Sequence, residues 1–531
     1  MERLLHPGER WADQVIADVD ALGPAWRALV DLAATATTPR PSGRWQRRGG
    51  ELLADVGPNT YRVRAAGWLR LVDGDADVVP ENATVLRGLI WLLALIPPHP
   101  ETARTLGDQV ERALRPVAGR GPRSAKVANA AVYALSRLGD PGLAQLTRLA
   151  SRVTYRGTLK LIHAALEAHA RALGLSRADV EELSIPTYGL TEVGRRVERF
   201  DGVTAELRIV DGRPRLIWRN PDGAVLASPP AAVRRGHAER LAELRATVRD
   251  IGKMLRAQRN RLDRMFVSAP AWRFVVWRER YLDHPLVATL ARRLIWTVNG
   301  LPVGYADGAL RTVYDVEVRP APDATVGLWH PANRPADEVL AWREWLARHG
   351  IRQPFRQAHR EVYELTADEE ADEVYSNRFA GQALRQHQFH ALVTQRGWRD
   401  RLRMDRDDSF SPATRELPEW GLRAEFWVAP TDGRTYESGA YQQIVTDQVR
   451  FYPRDAPESV ADPETGRYEQ WVGEVEDPVA PVPLDRIPPL VFSEILRDVG
   501  LAVGISRVGT ETYGIEVTDP RLRRDLHQTS V

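Results

Sequence analysis

From Glu9 to about Leu183, apolar residues recur at steps of three and four, and Gly and Pro fall mostly between the segments so formed. This period predicts helices over about 9–33, 44–55, 59–72, 81–96, 100–115, 123–138, 141–151, 155–173 and 176–184, with almost no strand signal among them. Pro80 opens the fourth segment and Pro97-Pro98 stops it, while Ser176 is expected to cap the last with Asp179 at the capping-box position. Helix pairs with short connections predict a HEAT-like array in which each pair buries its apolar stripe against the next. No clean sequence repeat marks it, and an irregular helical domain is the other reading.

Near Ile185 the period changes to two. Val203–Val210, the turn Asp211-Gly212, Pro214–Trp218, the turn Asp222-Gly223 and Ala224–Leu226 predict a small meander. After Pro229-Pro230 the helical period returns. Leu241, Leu244, Val248, Ile251, Leu255, Leu262 and Met265 keep heptad steps, with Gln258 as one polar seam position, which predicts a single helix to about Val267. Beyond Pro270 an aromatic helix is expected (Trp272, Phe274, Trp277, Tyr281), then another from His284-Pro285. Short strands follow, mixed with helices near 336–348, 380–396 and 488–499. Stretches 403–419 and 453–483, rich in Pro, Asp and Glu, are expected to be surface loops. The expected fold class is α+β in four parts: a HEAT-like helical array over 1–184, a β-meander linker over 185–230, the long basic heptad helix with the aromatic helix over 231–283, and a mixed α+β domain over 284–531.

Composition narrows the chemistry. A chain of 531 residues, 43% hydrophobic, has apolar material for several cores. It has no cysteine, which excludes disulfides, thiolate metal sites and cysteine nucleophiles. The longest apolar run, Leu89 to Ile96, is far shorter than the ~20 residues of a membrane helix, and no secretory pattern opens the chain. A cytoplasmic protein with no membrane association is therefore expected. The net charge of +2 implies no global field for a polyanion. Of 73 basic residues only Lys126, Lys160 and Lys253 are lysine, leaving 70 arginines, so arginine density by itself is discounted as a phosphate signal.

Motif chemistry is mostly excluded. The one Gly-Lys pair, Gly252-Lys253, precedes Met254 inside the heptad helix and is no P-loop. A His-Glu-x-x-His helix and a Gly-x-Ser-x-Gly elbow are both absent. Asp73-Gly-Asp-Ala-Asp77 opens like a calcium loop but has Val78 at position six and Thr84 at position twelve, so it reads as a solvated turn. Gly119-Arg-Gly-Pro-Arg-Ser124 reads as a loop ending in an N-cap serine rather than a phosphate cradle. His387 and His390 share a helical spacing, but nothing in the segment completes a ligand set, so no metal and no cofactor are expected.

Three groups remain as candidate sites. Glu494 and Asp498 lie one turn apart with Arg497 beside them, a pairing that suits acid–base or Mg²⁺ chemistry and equally a structural ion network. Arg378, Gln382, Arg385 and Gln386 with Arg396, joined by Arg292, are candidates to converge on an anionic ligand, with a solvated helix face as the alternative. Between 234 and 264 ten basic residues, among them Arg245, Arg249, Lys253 and Arg256, stand against four acidic ones. That stripe suits nucleic-acid phosphates, or a helix buttressing a core.

Several stretches carry a resemblance in wording and order. These are Gly121–Ser124 with Lys126–Leu135, Ile185–Leu190, Gln258–Leu262, Ala291–Trp296, Val326–Pro331, Gln353–Gln357, Arg378–Gly381, Arg396–Trp398, Trp420–Trp427 and Phe492–Asp498. Together the chain resembles the domain-of-unknown-function family 4132 (DUF4132) of MolR-type bacterial proteins from about 82 to 508. It departs from that pattern after Val508-Gly509, where Thr510-Glu-Thr-Tyr stands and a shortened terminal module is expected; no WGR domain is recognisable. The resemblance implies an old label as molybdate-metabolism regulator and an association with MoxR-type AAA ATPases and von Willebrand A-type proteins. It names no reaction. The expected function is a non-enzymatic scaffold or adaptor in an ATPase-linked system. A nucleic-acid-binding regulator using the 234–264 helix is the first alternative, and an enzyme acting on an anionic or nucleotide-like ligand is the second.

Overall fold

The structure is a computed structural model that describes residues 5–72, 79–117, 121–150, 152–175, 177–332, 334–372, 374–402, 411–430, 440–461, 468–470 and 478–506. The chain folds into two compact units. The first comprises residues 1–263, 271–327 and 346–355, and the second 264–270, 328–345 and 356–531. The fold is α+β, helical toward the N-terminus with its larger sheets beyond it.

Among the described residues the first unit opens with ten helices: α1 (Arg10–Leu22), α2 (Pro24–Ala34), α3 (Gly43–Val56), α4 (Pro58–Arg70), α5 (Pro80–Leu93), α6 (Pro100–Ala113), α7 (Ala125–Leu135), α8 (Gly139–Ala150), α9 (Arg156–Leu173) and α10 (Arg177–Leu183). A two-residue ladder between α6 and α7 joins β1 (Pro116–Val117) to β2 (Gly121–Pro122). The single helix expected over 9–33 is two, because Gly23, at φ +89°, ends α1 through its N–H to the Val19 carbonyl, and Pro24 occupies the first position of α2. Proline starts α4, α5 and α6 in the same way, where its missing N–H costs nothing and its fixed φ suits the first turn. Ser176 and Asp73–Val78 lie outside the described residues.

Helices α2, α5, α7 and α9 touch in that order, and α1, α4, α6 and α8 do likewise, with α6 against α7 and α8 against α9 between the two rows. Their shared core holds Trp11, Trp26, Trp68 and Trp91, with the Trp45 and Trp91 rings edge to face at 5.4 Å. Gly88 lets α5 approach α2 so closely that a Cβ there would lie 2.3 Å from the Ala33 carbonyl oxygen.

The meander is β3 (Arg195–Phe200), β4 (Val203–Val210), β5 (Arg213–Arg219) and β6 (Val225–Leu226), antiparallel in sequence order. β3 escaped the sequence reading although Asp201-Gly202 announces it. Asp201 and Gly202, like Asp211 and Gly212, sit at positive φ, the geometry a two-residue hairpin turn needs. Two helices follow, α11 (Ala231–Gly236) and the 31-residue α12 (Ala238–Ser268). The seam residues Leu241, Leu244, Ile251, Leu255, Gln258 and Leu262 are buried, but so are Thr247, Met254 and Ala257, so α12 sinks a broad flank rather than a narrow two-stranded seam.

Beyond Pro270 the expected aromatic helix is mostly something else. Trp272 lies on β7 (Ala271–Arg273), and only α13 (Phe274–Trp277) and a π turn at Arg278–Leu282 are helical. The rings of Trp277 and Trp296 still pack edge to face at 5.1 Å, so the tertiary aromatic cluster dictates the local backbone. The helix expected from His284 is the four-residue α14 (Ala288–Ala291). It is followed by β8 (Trp296–Val298), β9 (Leu301–Ala306), β10 (Ala309–Arg311), β11 (Glu317–Val318) and β12 (Thr325–Leu328), in a sheet ordered β11-β10-β9-β8-β12-β7.

Helix α15 (Ala336–Arg348) carries the edge-to-face pair Trp342 and Trp345, which belongs to the second unit. That unit also holds α16 (Ala367–Asp372), β13 (Ala383–Arg385), α17 (Gln386–Gln395), β14 (Ala413–Leu417), β15 (Leu422–Pro430), β16 (Gln443–Pro453), β17 (Ser459–Ala461), β18 (Tyr468–Gln470) and α18 (Pro489–Ser506). Its sheet runs β13-β16-β15-β14, all antiparallel, and Phe389 of α17 and Phe492, Ile495 and Val499 of α18 share a core with Phe426 and Phe451 of the sheet. Thr366 and Glu369 form a reciprocal capping box at the start of α16. Among the described residues no helix is long and apolar enough to cross a membrane.

Gly88→Ala is expected to lower urea stability by about 1–3 kcal/mol, because the clash is with backbone and cannot be relieved by a rotamer. Gly50→Ala on α3, where a Cβ meets nothing within 4 Å, is expected to raise it by about 0.5–1 kcal/mol. Equal effects of the two substitutions would refute the close packing of α2 on α5.

Candidate functional site

The candidate carboxylates lie on α18, which places Glu494 and Asp498 one turn apart as the sequence spacing requires. Each is buried and each is spoken for. Arg360 clamps Glu494 with both arms of its guanidinium, Nε to Oε1 and Nη2 to Oε2 at 2.6 Å each. His330 Nε2 lies 3.0 Å from Oε1. The His330 Nδ1 accepts the Ala332 N–H at 2.9 Å, so the ring proton must sit on Nε2 and is donated to Glu494. Glu494 is 1% exposed, Arg360 3% and His330 4%, so this group of one anion, one cation and one neutral ring holds no water-facing acid or base. Phe266 closes it, its ring 4.2 Å beneath the Arg360 guanidinium and edge-on to His330. Burial by itself would raise the Glu494 carboxyl, but the Arg360 bonds and charge, helped by His330, hold it far below the usual carboxylate range. Burial lowers His330, against the pull of Glu494.

Asp498 is likewise consumed. It accepts from Arg396 Nε and Arg415 Nη1 and, at 3.0 Å, from the Trp398 indole. Arg497 donates to Glu361 at 3.2 Å, and Arg378 is held by Glu369 and lies over the Phe492 ring at 5.8 Å.

The anionic-ligand group does not assemble as the helical reading of 380–396 expected. Gln382 precedes β13, Arg385 ends it in an exposed position, and only Gln386 onward is helical. Gln386 is buried with its carbonyl accepting the Tyr441 N–H at 2.6 Å, and Gln382 takes a backbone bond from its N–H to the Thr446 hydroxyl. Arg292 belongs to the first unit, where its Nε donates to the Leu282 carbonyl and its guanidinium covers Tyr305. His390 bonds Asp400 at 2.7 Å and His387 is exposed; among the described residues no group of three or more His, Asp or Glu is placed to hold a metal. Ser124 stands before α7 as expected, but its side chain makes no capping bond, and residues 118–120 of the preceding loop lie outside the described residues.

The basic helix separates into two populations. Lys253 is not available to a ligand, because it pairs with Asp108 and lies 3.4 Å from Glu111, both on α6. Asp250 faces the same way and accepts from Gln145 of α8 at 3.2 Å, with burial pushing its carboxyl up. Arg245, Arg249 and Arg256, with Arg259, remain exposed.

Sequence reasoning missed His330, Arg360, Arg415 and Trp398. Their partners on α18 are 164, 134, 83 and 100 residues away, and no spacing rule reaches that far.

Arg360→Ala strands a buried carboxylate and is expected to cost about 3–5 kcal/mol, whereas Arg360→Met with Glu494→Leu, which removes both charges, is expected to cost less than that single change. Denaturant titration checks the order, and a double variant weaker than Arg360→Ala would contradict it. Both depressed groups bind a proton more readily when unfolded. Stability present at neutral pH is therefore lost as pH falls, first below about 6.5 through His330 and again below about 4.3 through Glu494. The drop in Tm between pH 7 and 5.5 is expected to be smaller in His330→Asn than in the parent; an equal drop removes His330 from the account.

Comparison with known proteins bears out the DUF4132 part of the resemblance, over a shorter stretch than 82–508. One curated relative, the Uncharacterized protein YehI of Escherichia coli (strain K12), is 23% identical over 243 residues, covering 43% of this chain and 20% of its own length. The chain thus spans about a fifth of that relative. No solved structure matches. The model of the family described as Domain of unknown function (DUF4132) matches residues 223–398 of this chain.

Proposed function

We propose that this protein is a non-enzymatic scaffold or adaptor of a bacterial system built around a MoxR-type AAA ATPase. The observation that carries the reading is the fate of the α18 acids. Glu494 is closed off by Arg360 and His330, and Asp498 by Arg396, Arg415 and Trp398, so the groups best spaced for acid–base work hold the second unit together instead. An acid or base in catalysis needs its proton exchangeable with substrate near the working pH, and a carboxyl held far below its usual range by a buried arginine does not offer that.

The two rows of helices in the first unit support the same reading. Rows α1-α4-α6-α8 and α2-α5-α7-α9, each in contact along its own order and across to the other, suit a HEAT-like stack, whose use is extended surface rather than a catalytic cleft. The ATPase partner comes from the resemblance and not from any geometry.

Mixed with a purified MoxR-type AAA ATPase from the same genome at about 10 μM of each, enough to populate a micromolar complex, the full chain is expected to co-elute in size-exclusion chromatography with light scattering. Independent elution, with an unchanged ATPase rate, would remove the partner assignment. Turnover of a nucleotide or phosphate ester by the chain alone, abolished by Glu494→Gln in a variant that still melts cooperatively, would overturn the non-enzymatic reading itself.

A further inference from the structure

Between Leu244 and Leu262 of α12 every exposed residue is an arginine: Arg245, Arg249, Arg256 and Arg259. At 100° per residue these four fall within about 80° of one another around the helix and span about 21 Å of its length. The acid of this span, Asp250, is buried toward α8, and Lys253 is turned to α6. Gly252 lies between the two arginine pairs, where Pro214 of β5 comes within 3.7 Å of the space a Cβ would take.

Chain-wide arginine abundance does not explain this face. On α3 the exposed arginines share their surface with acids, and Arg48 pairs with Glu51 at 3.0 Å. On α12 itself Arg240 bonds the Arg199 carbonyl and Arg261 bonds the Tyr281 hydroxyl at 3.2 Å. The four outer arginines have no such partner among the described residues. The nearby carboxylate Glu111 is already shared by Arg148 at 2.7 Å, Arg152 at 2.9 Å and Lys253 at 3.4 Å. Burial first, and then the charges of Arg152, Arg148 and Arg259, lower the Arg256 guanidinium, while Glu111 raises it.

We infer that the outer face of α12 binds the phosphodiester backbone of a nucleic acid through Arg245, Arg249, Arg256 and Arg259. A protein partner is the weaker fit, because stable protein interfaces centre on desolvated apolar or aromatic anchors and this face exposes none. A phosphate backbone asks for no apolar anchor. Along 21 Å a duplex carries roughly twelve phosphates, and the planar guanidinium fork matches each of them in two-point geometry. Contacts of this kind position a backbone without reading bases, so the binding is indifferent to sequence.

The test uses the full chain and fluorescein-labelled DNA of mixed sequence, single-stranded and duplex, with fluorescence anisotropy across a salt series. Four contacts predict a slope of log K against log salt near −3.6 for duplex and near −2.8 for a single strand, so duplex binding weakens about a hundredfold between 50 and 200 mM salt. The pair Arg256→Gln with Arg259→Gln is expected to flatten the slope by about two, and all four Gln substitutions to abolish binding. These positions are exposed, so the melting temperature serves as the folding control. The inference is overturned by no binding at low salt, by binding indifferent to salt, by binding that survives the fourfold variant, or by a poly-glutamate peptide that binds as tightly as DNA.

Discussion

A charge taken out of water must find its opposite, and in this protein that requirement joins elements that the chain leaves far apart. Glu494 sits in the middle of a helix whose neighbours are Val491, Ile495 and Leu496, all buried, and without Arg360 it would be a bare carboxylate in an apolar core. The clamp does more than neutralise. Arg360 and His330 come from segments with no regular structure at those residues, and their bonds to one carboxylate fix where both segments run. Asp498, a turn later, does the same for Arg396 and Trp398 after α17 and for Arg415 on β14.

The first unit uses the same device. Glu182 on α10 receives Arg261 from α12, and Arg280 and the Tyr281 hydroxyl from the π turn, and that hydroxyl is pushed up in pKa chiefly by its burial. Glu111 collects Arg148, Arg152 and Lys253, tying α6 to α8 and α12. Buried pairs of this kind add little net stability over an apolar substitute, but they penalise every arrangement that leaves one partner behind. Register and docking angle are therefore what these acids supply, with the Trp-rich apolar cores contributing most of the free energy.

This division of labour separates the arginines. Those matched to carboxylates are structural, and the four on the outer arc of α12 stand outside that economy. The chain-wide count could not tell the two groups apart, because composition records residue type and not which side of a helix faces a neighbour. Arg256 and Lys253 are three residues apart on one helix and have opposite fates, one exposed and one paired to α6.

Helix positions in the N-terminal half followed from the sequence because their signals are local. Proline at the first helical position and the three-four period act within one turn, whatever the rest of the chain does, although the equally local Gly23-Pro24 break is passed over in the single helix expected across 9–33. Asp211-Gly212 and the long run of α12 were legible for the same reason, and Asp201-Gly202 held an equally local signal for β3 that went unread. Trp272, Gln382 and Arg385 were misplaced onto helices because an aromatic core and a sheet edge overrode their local period. The role of Glu494 and Asp498 lay beyond the sequence altogether. Their spacing showed that they share a face of α18, but whether that face meets water or Arg360 is decided by partners up to 164 residues away, and charge pairing over such distances leaves no periodic trace in a chain.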